Sequence, residues 1–166
     1  MLKTPLFKRG VFCYTIPMKI HLATDHAGFE LKNEIMKYLV NEGRDVLDHG
    51  AFAYDETDDY PDFIKKAAGA VSDDPEHNVG IVFGGSGQGE DMVADKFPDV
   101  RAAVYYGGNL EIVKLAREHN DANVLSIGAR FVGIDEAKEA VKIFLETEFS
   151  RDERHVRRID KLESNI

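Results

Sequence analysis

The sequence contains a single cysteine, Cys13, among its 166 residues. One cysteine excludes an intrachain disulfide and a zinc site built from cysteines, and it fits the reducing environment of the cytoplasm. Apolar runs are also short, since none approaches the roughly 18 residues that span a bilayer. We therefore expect a cytoplasmic protein without a membrane segment.

Basic residues are scarce relative to acidic ones. The chain has 21 Lys and Arg against 30 Asp and Glu, which gives a formal net charge of −9. Such a charge repels a phosphate backbone, so nucleic acid is an unfavourable partner. Small anions stay candidate ligands, because a local cluster of basic side chains outweighs the net charge at short range.

The first 17 residues differ from the rest of the chain. They include Lys3, Lys8 and Arg9 but no acid, and they end at Pro17, just before an apolar alternating segment. They lack the unbroken apolar stretch and the small-residue cleavage site of a signal peptide. We expect residues 1–17 to form a flexible extension and residues 18–166 a single domain, since one core serves a chain of this length. Met1 and Met18 are both candidate starts.

From Met18 onward, short β-branched runs alternate with longer stretches of helical period, which is typical of strands joined by crossover helices. The pattern predicts strands at 19–24, 45–48, 79–83, 101–105 and 123–127. It predicts helices at 29–41, 62–72, 90–95, 110–119 and 135–148, and a charged helix in 151–166. The expected fold is α/β, with a parallel sheet between helices on both faces. Such sheets bind ligands at the carboxyl ends of their strands, so functional residues should lie there.

One of these strand ends carries Asp25 and His26, directly before a predicted helix. The free N–H groups and positive dipole end of a helix favour an anion, and the two side chains could orient a sugar hydroxyl. The alternative is that Asp25 only caps the helix.

A second strand end is rich in glycine, with Gly84, Gly85, Gly87 and Gly89 around Ser86. Glycines let the backbone wrap around an anion with its N–H groups pointing inward, although a tight strand-to-helix turn has the same composition. The spacing does not match the G-x-G-x-x-G dinucleotide fingerprint, and no Lys followed by Ser or Thr marks a P-loop. We interpret the segment as an anion-binding loop.

Glu90 places a carboxylate directly after this loop. A base beside oriented N–H donors suits abstraction of a proton from the carbon next to a carbonyl, because the donors stabilise the oxygen that becomes negative. The alternative is an ordinary acid in the first turn of a helix. A helix dipole lowers the pKa of such a carboxylate, so we expect bound substrate to supply the desolvation that a base needs.

Further candidates lie in the second half of the chain. His119 closes a predicted helix and could act as a general acid or base, or could only complement the helix dipole. Arg130 follows the last predicted strand, where a phosphate could bind. Arg154 and Arg158 are four residues apart in the charged helix and therefore share one face. They could clamp a phosphate, or could belong to a solvated face balanced by nearby acids.

Five motifs occur in the order found in one known family. They are Asp25-His26-Ala27-Gly28, Asp59-Tyr60-Pro61, Gly84-Gly85-Ser86-Gly87-Gln88-Gly89-Glu90, His119-Asn120-Asp121 and Arg154-His155-Val156-Arg157-Arg158. On these motifs the chain resembles the ribose-5-phosphate isomerase B family, which includes the galactose-6-phosphate isomerase subunits. The resemblance extends from Met18 to about Leu162.

The resemblance implies a Rossmann-like three-layer sandwich with a five-stranded parallel sheet, and a C-terminal helix that reaches a partner subunit. It implies an active site shared between the two subunits of a homodimer, which could pair into a tetramer. The implied reaction interconverts an aldose phosphate and its ketose phosphate through a cis-enediolate, with no cofactor and no metal.

The resemblance also assigns roles to individual residues. In one branch of the family a cysteine at the position of Gly84 is the base, and in the other branch a glutamate at the position of Glu90 does this work. Because Gly84 has no side chain, Glu90 is the implied base. Asn120 would hold the enediolate oxygens, and His119, with Asp25 nearby, would assist opening of the furanose ring.

The remaining implied roles concern binding. The anion hole would consist of Ser86 with the amides of Gly85, Gly87 and Gly89. The phosphate ligands would be His26, Arg130, Arg154 and Arg158, some of them from the partner subunit, and Tyr60 would line the pocket.

Members of this family act on sugar phosphates of four, five and six carbons. We predict ribose 5-phosphate, converted to ribulose 5-phosphate in the pentose phosphate pathway, with erythrose 4-phosphate, allose 6-phosphate and galactose 6-phosphate as alternatives. A sugar-phosphate-binding module without catalysis is an alternative of another class, and Glu90 beside the glycine loop argues against it. A nucleotide- or flavin-binding domain is disfavoured by the loop spacing and by the acid, which repels phosphates.

Overall fold

The computed structural model describes residues 18–164. The predicted extension at 1–17, with Cys13, lies outside the described residues. The division of the chain at Met18 therefore stays a prediction.

The described chain alternates strands and helices, as the sequence pattern predicts. The strands are β1 (Lys19–Thr24), β2 (Asp45–Asp48), β3 (Asn78–Gly84), β4 (Ala102–Tyr105) and β5 (Val124–Gly128). The α-helices are α1 (Phe29–Asn41), α2 (Pro61–Asp73), α3 (Gln88–Ala94), α4 (Glu111–Asn120), α5 (Ile134–Glu146) and α6 (Glu153–Glu163), and a single 3-10 turn spans His26–Gly28. Among the helices within residues 18–164, none combines the length and apolar character needed to cross a bilayer.

One departure from the predicted boundaries, at the glycine loop, is the start of α3. This helix begins at Gln88, whereas the sequence pattern predicts a start at Glu90. Gly87 adopts a left-handed conformation, with φ of 77°, and lies at the position that precedes the helix. Because glycine adopts this conformation without a steric cost, the chain turns into the helix inside the glycine segment rather than after it.

The five strands form one parallel sheet in the order β2-β1-β3-β5-β4. The central strand β3 pairs with β1, with Thr24 opposite Phe83, and with β5, with Gly84 opposite Gly128. Side chains of β3 alternate between the two faces, so that Ile81 and Phe83 pack with one set of helices and Val82 with the other. Both faces of β3 are therefore buried, as its near-continuous apolar sequence suggests.

Helices cover both faces of the sheet and complete a three-layer sandwich. Apolar side chains of α1, α4 and α5 pack on one face, with Ile35, Val113 and Phe144 in that core. Side chains of α2 and α3 pack on the opposite face, with Ile64 and Ala94 among them. This arrangement confirms the predicted Rossmann-like α/β class.

Different predicted site residues lie at the carboxyl edge of the sheet, where its strands end, and at the amino edge, where its strands begin. The carboxyl ends of β1, β3 and β5 lie side by side, where the amide of Ala129 donates to the carbonyl of Gly84 at 2.8 Å. A crossover helix runs back along the sheet, so α4 ends at the opposite edge, where the strands begin. There the side chain of Arg101, just before β4, donates to the carbonyl of Asn120 at 3.1 Å.

A buried ion pair, which the sequence pattern did not indicate, connects α1 with the segment after β2. Lys32 is fully buried, and its Nζ donates to the two carboxylate oxygens of Asp48 at 2.8 and 2.7 Å. The same Nζ donates to the carbonyl oxygen of Ala51 at 2.8 Å. These three bonds fix the start of the β2–α2 loop, residues 49–60, which leads back to the carboxyl edge of the sheet.

Candidate active site

A cavity of about 330 Å³ opens at the carboxyl edge of the sheet. Residues that follow β1, β3 and β5 line it together with the end of the β2–α2 loop: Asp25, His26, Ala27, Tyr60, Gly85, Ser86, Gly89, Glu90, Arg130 and Phe131. The structure thus brings most of the predicted site residues together in one chain. Ala27 and Phe131 are additional lining residues that the sequence analysis did not identify.

The glycine loop packs tightly against its neighbours. A Cβ on Gly85 would lie 3.1 Å from the guanidinium carbon of Arg130, and one on Gly89 would lie 2.7 Å from the ring of Tyr60. Gly87 is not among the residues that line the cavity, and its carbonyl accepts a hydrogen bond from the Ser126 hydroxyl at 2.6 Å. The absence of side chains in this segment therefore lets Arg130 and Tyr60 approach the backbone of the loop.

Glu90 is buried, with 3% of its surface exposed, although it lies in the first turn of α3. Its carboxylate occupies the space that a Cβ on Gly84 would enter. Burial raises the pKa of Glu90, a backbone hydrogen bond opposes this rise with a smaller effect, and the negative charge of Asp25 adds the smallest contribution, upward. The protein itself therefore supplies the desolvation that the sequence analysis assigned to bound substrate.

Asp25 caps the turn after β1 and also lies at the cavity. Its Oδ1 accepts a hydrogen bond from the amide of Ala27 at 2.9 Å, so it caps the 3-10 turn that begins at His26. Asp25 is also buried and lines the cavity beside Glu90. The capping interaction holds the carboxylate in place at the site, so the two interpretations are compatible.

His26 pairs with Asp58, a residue that the sequence analysis did not identify. The Nδ1 atom of His26 lies 2.7 Å from Oδ1 of Asp58, and the backbone amide of His26 donates to the same oxygen at 3.0 Å. This hydrogen bond is the main reason that the pKa of His26 is raised. The only sequence signal for Asp58 is its place in an acidic run before Tyr60, since 32 residues separate it from His26.

Three residues at the rim of the cavity have the spacing of metal ligands. Among the described residues, ligand atoms of Asp25, His26 and Asp58 lie within 4.8 Å of one another. The hydrogen bond between His26 and Asp58 already uses two of these groups, so an internal contact accounts for the cluster. The absence of a metal from the reaction stays a prediction.

The other predicted site residues lie elsewhere in the chain. His119, Asn120 and Arg158 line a separate groove of about 600 Å³ between β4, α4 and α6. This groove shares no lining residue with the cavity that contains Glu90. In a single chain His119 therefore does not lie near Asp25, because α4 ends at the amino edge of the sheet.

Basic and acidic side chains both line the groove between α4 and α6, with Arg158 of α6 among the basic ones. Arg154 lies on α6 with 60% of its side chain exposed, and its ion-pair partner within residues 18–164 is an exposed Asp152, at 3.9 Å. His155 is buried, and its ring centroid lies 4.4 Å from that of His119. Burial lowers the pKa of His155, and the neighbouring His119 and arginines lower it further. Arginines of α6 therefore lie beside His155, whose lowered pKa favours the neutral imidazole.

Comparisons with known proteins agree with this arrangement. The sequence profile of a family described as Ribose/Galactose Isomerase matches residues 20–162. The ribose-5-phosphate isomerase B of Mycolicibacterium paratuberculosis is 46% identical over 145 residues, which cover 87% of this chain and 89% of that protein. The ribose-5-phosphate isomerase B of Escherichia coli K12 is 38% identical over 144 residues, which cover 87% of this chain and 93% of that protein.

Solved structures show the same similarity. Ribose-5-phosphate isomerase B from Mycoplasma genitalium with bound ribulose-5-phosphate matches with a TM-score of 0.85 at 37% identity, over 90% of this chain and 97% of that chain. Ribose-5-phosphate isomerase B from Clostridium thermocellum matches with a TM-score of 0.82 at 42% identity, over 89% of this chain and 96% of that chain. The range matched by the family profile, residues 20–162, contains all residues that line the cavity and all but Glu163 of those that line the groove.

Proposed function

The chain belongs to the Ribose/Galactose Isomerase family, and we propose that it interconverts ribose 5-phosphate and ribulose 5-phosphate with Glu90 as the base. It is an aldose-ketose isomerase of the ribose-5-phosphate isomerase type. One relative of 37% identity holds ribulose-5-phosphate in its solved structure. In this chain the observation that carries the proposal is the buried Glu90 carboxylate beside the glycine loop.

The proposed chemistry is a proton transfer between neighbouring carbons. Glu90 takes the proton from C2 of the open-chain aldose, and the electrons of the broken C–H bond form the C1–C2 double bond of a cis-enediolate. The aldehyde oxygen becomes negative in this step. Movement of a proton from the C2 hydroxyl to this oxygen, and return of the proton from Glu90 to C1, give the ketose. A raised pKa makes Glu90 a stronger base than an exposed carboxylate.

The glycine loop would stabilise the negative oxygen of the enediolate. Ser86 and Gly89, at the start of α3, line the same cavity as Glu90, and the first N–H groups of a helix have no partner within the helix. Donors fixed before the reaction stabilise developing charge without reorganising, which is the largest single contribution in many enzymes. We assign this role to Ser86 with the amides of Gly85, Gly87 and Gly89.

The cavity of one chain provides few groups for a phosphate. Among its lining residues, His26 and Arg130 carry the side chains that can be cationic. A sugar phosphate carries up to two negative charges, and recognition of phosphate commonly uses several arginines. Arg154 and Arg158 lie on α6, away from this cavity, and are the additional phosphate ligands that we propose.

We propose that a second copy of the chain supplies His119, Asn120, Arg154 and Arg158 to this cavity in a homodimer. Opposite edges of the sheet carry the two halves of the site, so a twofold axis could place the groove of one copy over the cavity of the other. Helix α6 supports this arrangement, because its apolar Val156 and Leu162 are 38% and 54% exposed. In this dimer His119 would assist ring opening beside the partner's Asp25.

The wider setting of the enzyme forms part of the same proposal. Dimers could pair into a tetramer, and a cytoplasmic location fits a chain with a single cysteine. Neither nucleic acid nor a membrane is needed as a partner.

The proposal is tested by an isomerase assay on protein treated with a chelator. Ribose 5-phosphate, erythrose 4-phosphate, allose 6-phosphate and galactose 6-phosphate are supplied separately, and ketose formation is followed. We expect the largest kcat/KM with ribose 5-phosphate and no loss after removal of metals. A larger kcat/KM with another sugar would replace the substrate, and binding without turnover on any sugar would indicate a non-catalytic module.

A further inference from the structure

The β2–α2 loop brings Asp58 to the Nδ1 side of His26, and Asp58 is not among the residues that line the cavity. One oxygen of the Asp58 carboxylate lies 2.7 Å from Nδ1 of the imidazole and accepts the backbone N–H of the same residue at 3.0 Å. Two contacts between the same pair of residues fix both the position of the backbone and the rotation of the ring. The imidazole has therefore little freedom beside the cavity.

The environment of Asp58 favours this pairing. Its side chain is only 10% exposed, and its second oxygen, Oδ2, is buried without a hydrogen-bond partner among residues 18–164. A carboxylate in such a place gains little from water, so an adjacent positive charge stabilises it strongly. His26 is the group placed to carry that charge.

The charges that face His26 come from three segments. Asp58 and the more distant Asp55 belong to the β2–α2 loop, and Asp25 lies 3.9 Å away at the end of β1. Arg130, after β5, opposes them. The hydrogen bond with Asp58 has the largest effect, so the pKa of His26 is raised in spite of Arg130.

We propose that Asp58 is a positioning residue for substrate binding: it holds Nδ1 of His26 protonated, so that Nε2–H and a positive charge face the phosphate of the sugar. This inference rests on the proposed function, in which His26 is a phosphate ligand. A carboxylate that orients a histidine in this way fixes its tautomer and supports its protonated form. Asp58 itself does not contact the substrate.

The kinetic test is Asp58→Asn, which keeps the shape of the side chain and removes its charge. We expect KM for ribose 5-phosphate at about pH 7.5 to rise about tenfold, equivalent to about 1.4 kcal/mol, with kcat changed less than about threefold. The KM ratio of variant to wild type should increase from about pH 5.5 to about pH 8, because His26 in the variant loses its proton within this range.

The matched control is Glu56→Gln. Glu56 is exposed on the same loop, so this change removes the same charge without touching His26. We expect its KM and its pH profile to equal those of the wild type. An equal rise of KM in both variants would show that the loop charge, and not the pairing with His26, determines binding.

A direct test follows the imidazole of His26 by NMR, with its signals assigned from their absence in His26→Gln. In the wild type we expect protonated Nδ1 and a pKa above the ordinary value, and in Asp58→Asn a pKa that returns toward that value. A stable Asp58→Asn protein with an unchanged His26 titration and unchanged KM would overturn the inference. Failure of the wild type to isomerise any aldose phosphate would instead refute the proposed function.

Discussion

The carboxylate of Glu90 lies in the space that a side chain on Gly84 would occupy. Gly84 is the last residue of β3 and Glu90 lies in the first turn of α3, yet side chains from both positions reach the same point beside the glycine loop. A base at this point can therefore come from either position, but not from both at once. The resemblance implies that one branch of the family has its base at the first position and the other branch at the second. The overlap of the two positions in this chain gives a steric reason for that alternation.

Glu90→Gln tests the base directly. The amide keeps the shape of the side chain but cannot accept the proton from C2. We expect kcat for ribose 5-phosphate to fall at least about a hundredfold with KM changed only a few fold, since general base catalysis contributes roughly 10²–10⁴. Coupled assays give both constants, and a thermal shift with added sugar phosphate checks that binding is retained. A kcat within a few fold of the wild type would exclude Glu90 as the base.

Gly84→Ala tests the shared space. A methyl group at this position overlaps the Glu90 carboxylate, so either the carboxylate or the end of β3 must move. We expect a loss of kcat, because a small displacement of a catalytic group has a large effect on rate.

The control for Gly84→Ala is Gly133→Ala. Gly133 has φ of −76°, which alanine adopts readily, and a Cβ there would have no heavy atom within 4 Å. We expect this variant to keep the activity and the stability of the wild type. Comparable loss of kcat in both alanine variants would contradict the steric argument.

Asp91 gives a prediction about stability and pH. Burial, with a contribution from Asp95, raises the pKa of Asp91 to about 6 from the ordinary value of 3.8, and its Oδ1 is buried without a hydrogen-bond partner among the described residues. Because the folded state binds this proton more tightly than the unfolded state, stability falls as pH rises from about 4 to about 6. The destabilisation is fully present above that range.

We therefore expect Asp91→Asn to raise Tm by about 2–4 °C at about pH 7.5, the shift that roughly 1 kcal/mol gives in a chain of this size. The difference in Tm between the variant and the wild type should shrink as the pH falls and disappear below about pH 3, where Asp91 is protonated in both the folded and the unfolded state. Scanning calorimetry at several pH values measures this difference. A Tm difference that does not change with pH would assign the effect to packing rather than to charge.

Mixed dimers test whether two copies share each active site. Glu90→Gln and His119→Asn chains, each nearly inactive alone, are expressed together with different tags. If the sites are shared, each mixed dimer contains one site with both substitutions and one site with neither. Random pairing then restores about a quarter of the wild-type activity, because half of the dimers are mixed.

The control for this experiment pairs Glu90→Gln with Asp25→Asn. Both residues line the same cavity of one chain, so no arrangement of these two chains gives an intact site. We expect no recovery of activity. Equal recovery in the two experiments, or none in either, would argue against a site shared between copies.

Much of the fold could be predicted because local patterns determine it. The run from Val79 to Phe83 is apolar throughout, which is typical of a central parallel strand covered on both faces. The position of the cavity follows from the same pattern, since open α/β sheets bind ligands at their carboxyl edge. The start of α3 was less predictable, because a left-handed Gly87 begins the helix within a segment that otherwise reads as a loop.

Contacts between distant parts of the chain were not predictable from residue patterns. The pairing of Asp58 with His26 depends on the path of the β2–α2 loop, and the burial of Lys32 depends on the position of Asp48. The distance of His119 from Asp25 has a simpler origin. A crossover helix returns to the amino edge of the sheet, so a residue at its end cannot lie at the carboxyl edge of the same chain.

The ion pair of Lys32 shows how a substitution outside the cavity could be mistaken for the loss of a catalytic residue. Lys32 and Asp48 do not line the cavity, yet they anchor the loop that delivers Asp58 and Tyr60 to it. In a screen that scores product formation alone, a substitution at either position would resemble the loss of a substrate ligand. Only a parallel measure of folded protein would reveal that the architecture of the loop, and not the reaction, had been damaged.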